Sequence, residues 1–433
     1  MLRARRTLVD AFDPAFNNFD LIRIVAALAV VVVHAYSLVG VDPDPVSRLL
    51  GFGYAGTLAV EVFFVISGFL ITRSAEQIPP GNYLLSRVLR IVPGLALVTV
   101  FEAYVLGLLF FDGDRHLYLR EVAPAHLRNI LVFPEVPWIP GVFQKNHYQI
   151  VNGSLWTLPV EAFFYLLMPL VASLRRLQLP ATVIAWCVCL ILDAGGTIGV
   201  PRIVADNQYV ALGLQAGGVV DMGSFFFAGS LLWQLRRKVP FDRGILLIVA
   251  ILLWVAHGTA SAQAALRVCL PYAVIAVGCG GGAGTRLKRA VGDLSYGTYL
   301  FGYPLLNSNI LLGHFRLSPP ALLLRTLPLV LLAAAISWYL VEKPALRLRR
   351  SEGGRHRRTL DGLPAGIAGG TPVGPDKPPA RGPAEPDAVP AVPAVLLDRR
   401  GTRRLDPAPS VGPGPDGPEP AVRPGPVSSR PSR

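Results

Sequence analysis

Leu21–Gly40 reads LIRIVAALAVVVVHAYSLVG. Apart from Arg23 and His34 the run is apolar or uncharged, and it is as long as the roughly 20 residues a helix needs to cross the hydrocarbon core of a bilayer. Stretches of the same kind recur at 55–72, 91–111, 155–174 and 181–199, and again at 209–235, 244–257, 264–282, 294–313 and 321–341, which makes ten. These are continuous apolar runs rather than alternating ten-residue strands. Backbone groups in lipid must pair within their own segment, so the runs predict helices and not a barrel. The fold class expected is all-α: a polytopic transmembrane bundle of about ten helices. The seventh run is short, and the sixth is loosened by Gly213, Gly217, Gly218 and Gly223.

Composition agrees with that class. Across 433 residues, 52% are hydrophobic and only 16% charged, and the mean hydropathy is +0.47, which excludes an ordinary soluble globular protein. Cys187, Cys189, Cys269 and Cys279 all fall inside apolar runs, so they read as small core residues and not as a disulfide framework. The formal charge of +13 is scattered at the ends of the runs, so no nucleic-acid partner is expected. Its distribution sets orientation instead. Arg3, Arg5 and Arg6, then Arg73, Arg87 and Arg90, then Arg175 and Arg176, then Arg236 and Arg237, then Lys288 and Arg289, then Lys343 and Arg347 fall on one side of a ten-helix count, which places both termini in the cytoplasm. The other side has isolated residues such as Arg202 and Arg267, and a connection near 112–153 that is too long for a turn and reads as a partial lid. No apolar run directly follows the first arginines, so a cleaved signal peptide is not expected.

The expected organisation is a cytoplasmic segment over 1–18, a membrane domain over 19–348 and a tail over 349–433. The last 83 residues hold 18 of the 39 prolines with no sustained apolar period, so the tail reads as disordered and cytoplasmic. No internal repeat of the kind that marks many transporters is convincing.

An ionisable side chain inside a span costs at least about 2.5 kcal/mol on insertion scales, which makes each one a functional candidate or half of a buried pair. His34 lies eleven residues beyond Arg23, about 16 Å along a helix axis. Glu61, in the second run, and Glu161, in the fourth, fall at comparable depth in the half away from the cytoplasm, with Glu102 and Asp193 nearby. One histidine and several carboxylates are therefore expected to converge on one layer. A carboxylate beside an imidazole fixes its tautomer and supports it as a general base. The alternatives are a packing histidine and a Glu161 that merely partners an arginine. Glu161 and Tyr165 share a helix face at i, i+4. Arg87 and Arg90, at i, i+3 before the third run, suit a phosphate, although plain positive-inside anchoring fits them too. Ser67-Gly68 also fits close helix approach.

Six motifs in order resemble a known family. They are Leu21-Ile22-Arg23 with His34 after ten further residues, Phe63-Phe64-Val65-Ile66-Ser67-Gly68-Phe69-Leu70-Ile71, Arg87-Val88-Leu89-Arg90-Ile91-Val92-Pro93, Trp156-Thr157-Leu158-Pro159-Val160-Glu161 to Tyr165, Leu294-Ser295-Tyr296-Gly297-Thr298-Tyr299-Leu300, and Val341-Glu342-Lys343-Pro344. Together they resemble the integral-membrane acyltransferase-3 family over about residues 17–348. That resemblance implies a multi-pass enzyme of the cell membrane that takes an acyl group, usually acetyl, from cytoplasmic acyl-coenzyme A to a hydroxyl of an extracytoplasmic polysaccharide, lipopolysaccharide or glycolipid. It matches His34 to the family's essential histidine, Arg23 to that histidine's partner in the spacing, Arg87 and Arg90 to the arginine pair associated with the coenzyme, and Glu161 to the carboxylate of the Trp-to-Glu motif. The expected site is then catalytic His34 with Glu161 and, from its depth in the second run, Glu61; coenzyme contacts from Arg23, Arg87 and Arg90; and a substrate lining of Trp156, Tyr165 and Ser67. No metal is implied. Many relatives have a histidine where this chain has Gly302. No hydrolase-like domain follows the tenth run, so a partner needed for acceptor transfer would be another chain. Two rivals remain at this point: a transporter or flippase for a lipid-linked sugar or acyl-group precursor, and a scaffold working through its proline-rich tail. Whether His34 acts as base or as transient acyl carrier is open.

Overall fold

The computed structural model describes residues 6–133, 135–194, 209–210 and 214–348. The chain divides into two units, Met1–Pro364 and Ala365–Arg433, and the second lies outside the described residues together with the rest of the 349–433 tail. In the first unit each of the ten apolar stretches contains a helix. They are α1 (Phe19–Ser37), α2 (Ala55–Gln77), α3 (Pro80–Val100), α4 (Thr157–Ser173), α5 (Gln178–Ala194), α6 (Ala216–Gln234), α7 (Arg243–Ala256) and α8 (Ala262–Cys279). The amphipathic α9 (Ala283–Val291), with Lys288 and Arg289 in its last turn, precedes α10 (Ser295–Leu312) and α11 (Pro319–Ile336).

Seven of these helices are long and apolar enough to cross a membrane: α1, α2, α3 with its continuation to Phe110, α5 with the turn before it, α6, α8, and α11 with its continuation to Leu348. Helices α4 and α7 are apolar but shorter. Asn307 and Asn309 lower the apolarity of α10, and both are buried. The centre of the bundle is α2. In its most apolar window 72% of the residues are buried, against 17% in α5, so α5 turns most of its Val, Ile and Leu side chains outward, where only an apolar surrounding would accept them.

Two glycines let α2 and α6 approach closely. A Cβ added at Gly68 would stand 1.9 Å from the Phe226 carbonyl oxygen, and one at Gly229 would stand 2.2 Å from that of Val65. Each glycine therefore faces the other helix's backbone with no side chain between, the small-residue contact that the Ser67-Gly68 pair suggested. The interface is sealed by Phe164, which stacks on Phe226 with centroids 4.5 Å apart.

Two expectations need correction. The sixth apolar stretch does not begin as helix: Tyr209–Val210 pairs antiparallel with Leu214–Gln215, and α6 starts only at Ala216. Gly218 and Gly223 do not loosen α6 but make room for neighbours, because an added Cβ would meet the Trp156 ring at 2.8 Å and Cys189 Sγ at 2.9 Å. The connection near 112–153 has its own core, in which Tyr118, Ile139, Val142 and Phe143 are buried with Ala103 and Leu106. It is tied to the far end of α3, where the Tyr118 hydroxyl donates to the Ala103 carbonyl.

Candidate active site

A cavity of about 1430 Å³ enters the bundle at the end where its basic residues gather. Its mouth is marked by Gln77, Asn82 and Arg347, all exposed. Inward, the walls come from Ser67 and Arg73 on α2, Arg87 and Arg90 on α3, Thr157, Glu161 and Tyr165 on α4, and Tyr296 and Tyr299 on α10. Arg23, Lys288, Asp293 and Lys343 complete the ring of charge. Six of the residues singled out from sequence thus share one cavity: Arg23, Ser67, Arg87, Arg90, Glu161 and Tyr165.

At the inner level Glu161 is held by its own helix and by α2. Helix α4 begins at Thr157, so Pro159 falls in its first turn, where a missing N–H is tolerated. Tyr165, one turn after Glu161, donates its hydroxyl to Glu161 Oε1, and Ser67 Oγ donates to the same oxygen at 3.5 Å. Tyr83 in turn donates to the Tyr165 carbonyl at 3.0 Å. The Arg87 guanidinium lies 5.7 Å from the Tyr83 ring and 5.6 Å from that of Tyr165, and its Nε donates to Ser86 Oγ at 3.1 Å. A cation resting on two aromatic faces stays oriented without having its charge cancelled.

Arg90 behaves differently from the pairing expected of it. It forms ion pairs with Asp293 at 2.9 Å and Glu342 at 3.6 Å and lies 5.6 Å from the Tyr296 ring. The Tyr296 hydroxyl donates to the Ile91 carbonyl at 2.9 Å. Local structure explains this partnership. Ser337–Glu342 is a π-helical turn, whose five-residue spacing brings Ser337 Oγ to donate to Glu342 Oε1 at 2.8 Å and aims the carboxylate at α3. Burial alone would push the Asp293 carboxyl up, but Arg90, Lys288 and Arg23 outweigh it and hold the group well below the usual carboxylate range.

No hydrogen bond or ion pair joins His34 to a carboxylate among the described residues. His34 is set edge-on to the Tyr303 ring at 5.0 Å, and its Nδ1 is buried without a hydrogen-bond partner among the described residues. Neither Glu61 nor Glu161 forms an ion pair with it there. Each carboxylate has other neighbours. Glu102 meets His126 Nε2 at 3.0 Å and accepts from Asn152 at 2.6 Å. Asp193 and Asp221 pair with Arg267 at 2.8 and 3.0 Å, so Arg267 is not isolated, while Glu61 Oε2 is buried with no hydrogen-bond partner among the described residues. Trp156 rests against Gly218 instead of lining the cavity. Depth along a helix fixes only one coordinate, while rotation about the axis decides which neighbour a side chain meets.

His34 does not itself line the cavity, but it shares a helix face with a residue that does. Eleven residues are close to three full turns, so His34 and the cavity-lining Arg23 occupy one face of α1, about 16 Å apart. Tyr299, at the inner wall, is one turn before Tyr303 on α10, and its hydroxyl shares a 2.8 Å hydrogen bond with Thr157 Oγ1. The cavity therefore ends about 6 Å along α10 from the ring that touches His34. Residues missed in the sequence include Arg73, Asp293 and Arg347; nothing in their local pattern separates them from ordinary helix-end charges. Glu342 stood within a recognised motif, but its partner was not legible.

Such an arrangement suits a long anionic donor entering from the basic end with its reactive group innermost. The acyltransferase domain family matches residues 16–342, nearly all of the helical unit. The chain belongs to that family. It is 28% identical to an O-acetyl transferase of Shigella phage Sf6, over 76% of this chain and 95% of that protein. It is 27% identical to nodulation protein 10 of Rhizobium leguminosarum bv. viciae, over 77% and 94% respectively. Acyltransferase MdmB of Streptomyces mycarofaciens is also 27% identical, over 75% of this chain and 89% of its own length. No solved structure matches. With its apolar helices, this family member is a multi-pass membrane acyltransferase.

Proposed function

We propose that this acyltransferase moves an acyl group, most simply acetyl, from cytoplasmic acyl-coenzyme A to a hydroxyl of a polysaccharide, lipopolysaccharide or glycolipid on the outer side of the cell membrane. The observation that carries the reading is a cavity that opens among cations and ends at Glu161, Tyr165 and Tyr299, one helical turn short of the tyrosine against His34. A thioester with a phosphate-bearing handle fits that polarity, because its phosphates meet guanidinium groups while its acyl end reaches the least hydrated part. The name of the phage relative, an O-acetyl transferase, favours an acetyl group and an oxygen acceptor.

In the proposed reaction the acceptor hydroxyl reaches His34 from the opposite face. The imidazole takes the hydroxyl proton as the oxygen attacks the thioester carbonyl carbon; the carbon–sulfur bond breaks, and the leaving thiolate of coenzyme A recovers the proton. General-base assistance of this kind is worth about 10² to 10⁴-fold in rate. Glu161, held by Tyr165 and Ser67, lies at the inner wall, where it orients the donor end instead of the imidazole.

The test is mass spectrometry of surface polysaccharide and lipid from cells with and without the gene, together with release of free coenzyme A by the purified protein in lipid nanodiscs. A mass increment of one acyl unit that disappears with the gene, and coenzyme A release that depends on acceptor, are expected. Movement of a lipid-linked sugar without coenzyme A release would replace this reading with transport.

A further inference from the structure

The charges around the cavity do not balance, and the surplus is ordered by depth. Three of its cations have carboxylate partners: Arg90 with Asp293 and Glu342, Lys288 with Asp20 at 3.0 Å and Asp293 at 3.4 Å, and Arg23 with Asp20 at 4.0 Å. Arg73, Arg87, Lys343 and Arg347 form no ion pair among the described residues, and the only other acid on the cavity wall is Glu161. Arg87 stands at the inner level, beside Tyr165. Arg73 is six residues beyond Ser67 on α2, about 9 Å nearer the mouth. Lys343 and Arg347 share a face at i, i+4, and Arg347 is exposed at the mouth itself.

The outer cations are also held in place. The Arg73 guanidinium lies 5.4 Å from the Phe12 ring and 5.9 Å from that of Trp233, and Lys343 Nζ lies 4.9 Å from the Tyr339 ring. Residues that only anchor a helix end in lipid headgroups need neither an aromatic cradle nor a cavity wall. All three line the cavity and lack a carboxylate partner among the described residues, so their charge is available to an anion that enters it.

We propose that Arg73, Lys343 and Arg347 form an outer anion subsite that reads the phosphate farthest from the thioester, the one on the 3′ oxygen of the donor's adenosine ribose, while Arg87 faces the inner part of the donor and Arg90 holds the wall. This rests on the acyl-coenzyme A reading. It divides the Arg87 and Arg90 pair by role: Arg87 contacts ligand, whereas Arg90 is a positioning residue acting through Asp293 and Glu342.

The experiment compares acetyl-coenzyme A with acetyl-3′-dephospho-coenzyme A as donors for the full-length protein in nanodiscs, and measures binding of adenosine 3′,5′-bisphosphate separately. The wild type should favour the phosphorylated donor by about 10- to 100-fold in kcat/KM, the range expected for charge-assisted hydrogen bonds to one phosphate. In Arg73→Gln, and independently in Lys343→Gln/Arg347→Gln, that preference should collapse through a raised KM for acetyl-coenzyme A, and bisphosphate binding should weaken about 10-fold or more. Arg316→Gln, exposed and outside the cavity, should change neither. A wild type indifferent to the 3′-phosphate, or both variants retaining the full preference, overturns the subsite. Turnover with neither donor, alongside bisphosphate binding that the variants lose, keeps the subsite and defeats the acyl-coenzyme A reading; absence of binding as well defeats both.

Discussion

Val31 and Gly302 show how closely α1 and α10 are matched around His34. A Cβ added at Gly302 would come 2.6 Å from Val31 Cγ2, so a histidine at this place would have no room unless Val31 gave way. The catalytic imidazole is then expected from α1 alone, and the consequence is sharp for His34. Replacing it with alanine should lower acyl transfer by about 10² to 10⁴-fold, the span of general-base assistance, with little change in the KM for acyl-coenzyme A, because the phosphate contacts proposed above lie towards the cavity mouth, whereas His34 is about 16 Å along α1 from the cavity-lining Arg23. Steady-state kinetics on a His34→Ala protein that inserts and melts normally would decide it. Unchanged kcat would remove His34 from the chemistry, and a loss confined to KM would make it a binding residue. The identity of this residue was legible from the Arg23-to-His34 spacing. Its surroundings were not, since the ring meets Tyr303, 269 residues later in the chain.

At the scale of elements, two kinds of local irregularity position the site. Helix α2 is central because Gly68 and Gly229 allow its backbone to touch that of α6, and this contact sets Ser67 and Arg73 at their places on the cavity wall. Gly68→Ala is therefore expected to destabilise the protein by about 1 to 3 kcal/mol, the usual penalty of overpacking, since the methyl would meet a backbone carbonyl that no rotamer change can move aside. Gly81→Ala makes the contrast. Nothing lies within 4 Å of a Cβ there, and alanine is the better helix former, so that variant should be neutral or slightly more stable. Thermal unfolding of both in the same detergent tests the pair; equal melting temperatures would show that the α2–α6 contact tolerates a methyl. The second irregularity is the π-helical turn, which supplies Glu342 to Arg90. Helix positions could be read from apolar runs, because length and hydropathy are local properties. The π turn, and the strand pair in place of a helix at 209–215, depend on partners distant in sequence, so the runs that predicted α2 and α10 correctly were silent about both.

For the whole molecule, the group around Asp293 matters most, because it joins segments that are far apart in the chain at the basic end: Asp20 and Arg23 on α1, Arg90 on α3, Lys288 on α9, the Asp293 loop and Glu342 after α11. Only Arg23 and Arg90 of this set were given site roles from sequence, both as coenzyme ligands, since an ion pair between residues 90 and 293 leaves no local signature. The linkage has a definite sign. The folded-state pKa of Asp293 is depressed below its unfolded value, so its contribution to stability is complete above the unfolded value of about 3.9 and is lost as pH falls from there towards the lower folded value. The melting temperature of the wild type should therefore fall on acidification below about pH 4. Asp293→Asn should melt lower than the wild type at pH 7, because Arg90 and Lys288 lose a buried counter-charge, and its further decline between about pH 4 and the acid limit should be shallower. Melting curves of the two proteins across that interval separate this group from the many other carboxylates, which titrate in both. Parallel curves would mean that the Asp293 cluster is not what fastens the basic end, and that Arg90 is free to bind a ligand in the cavity.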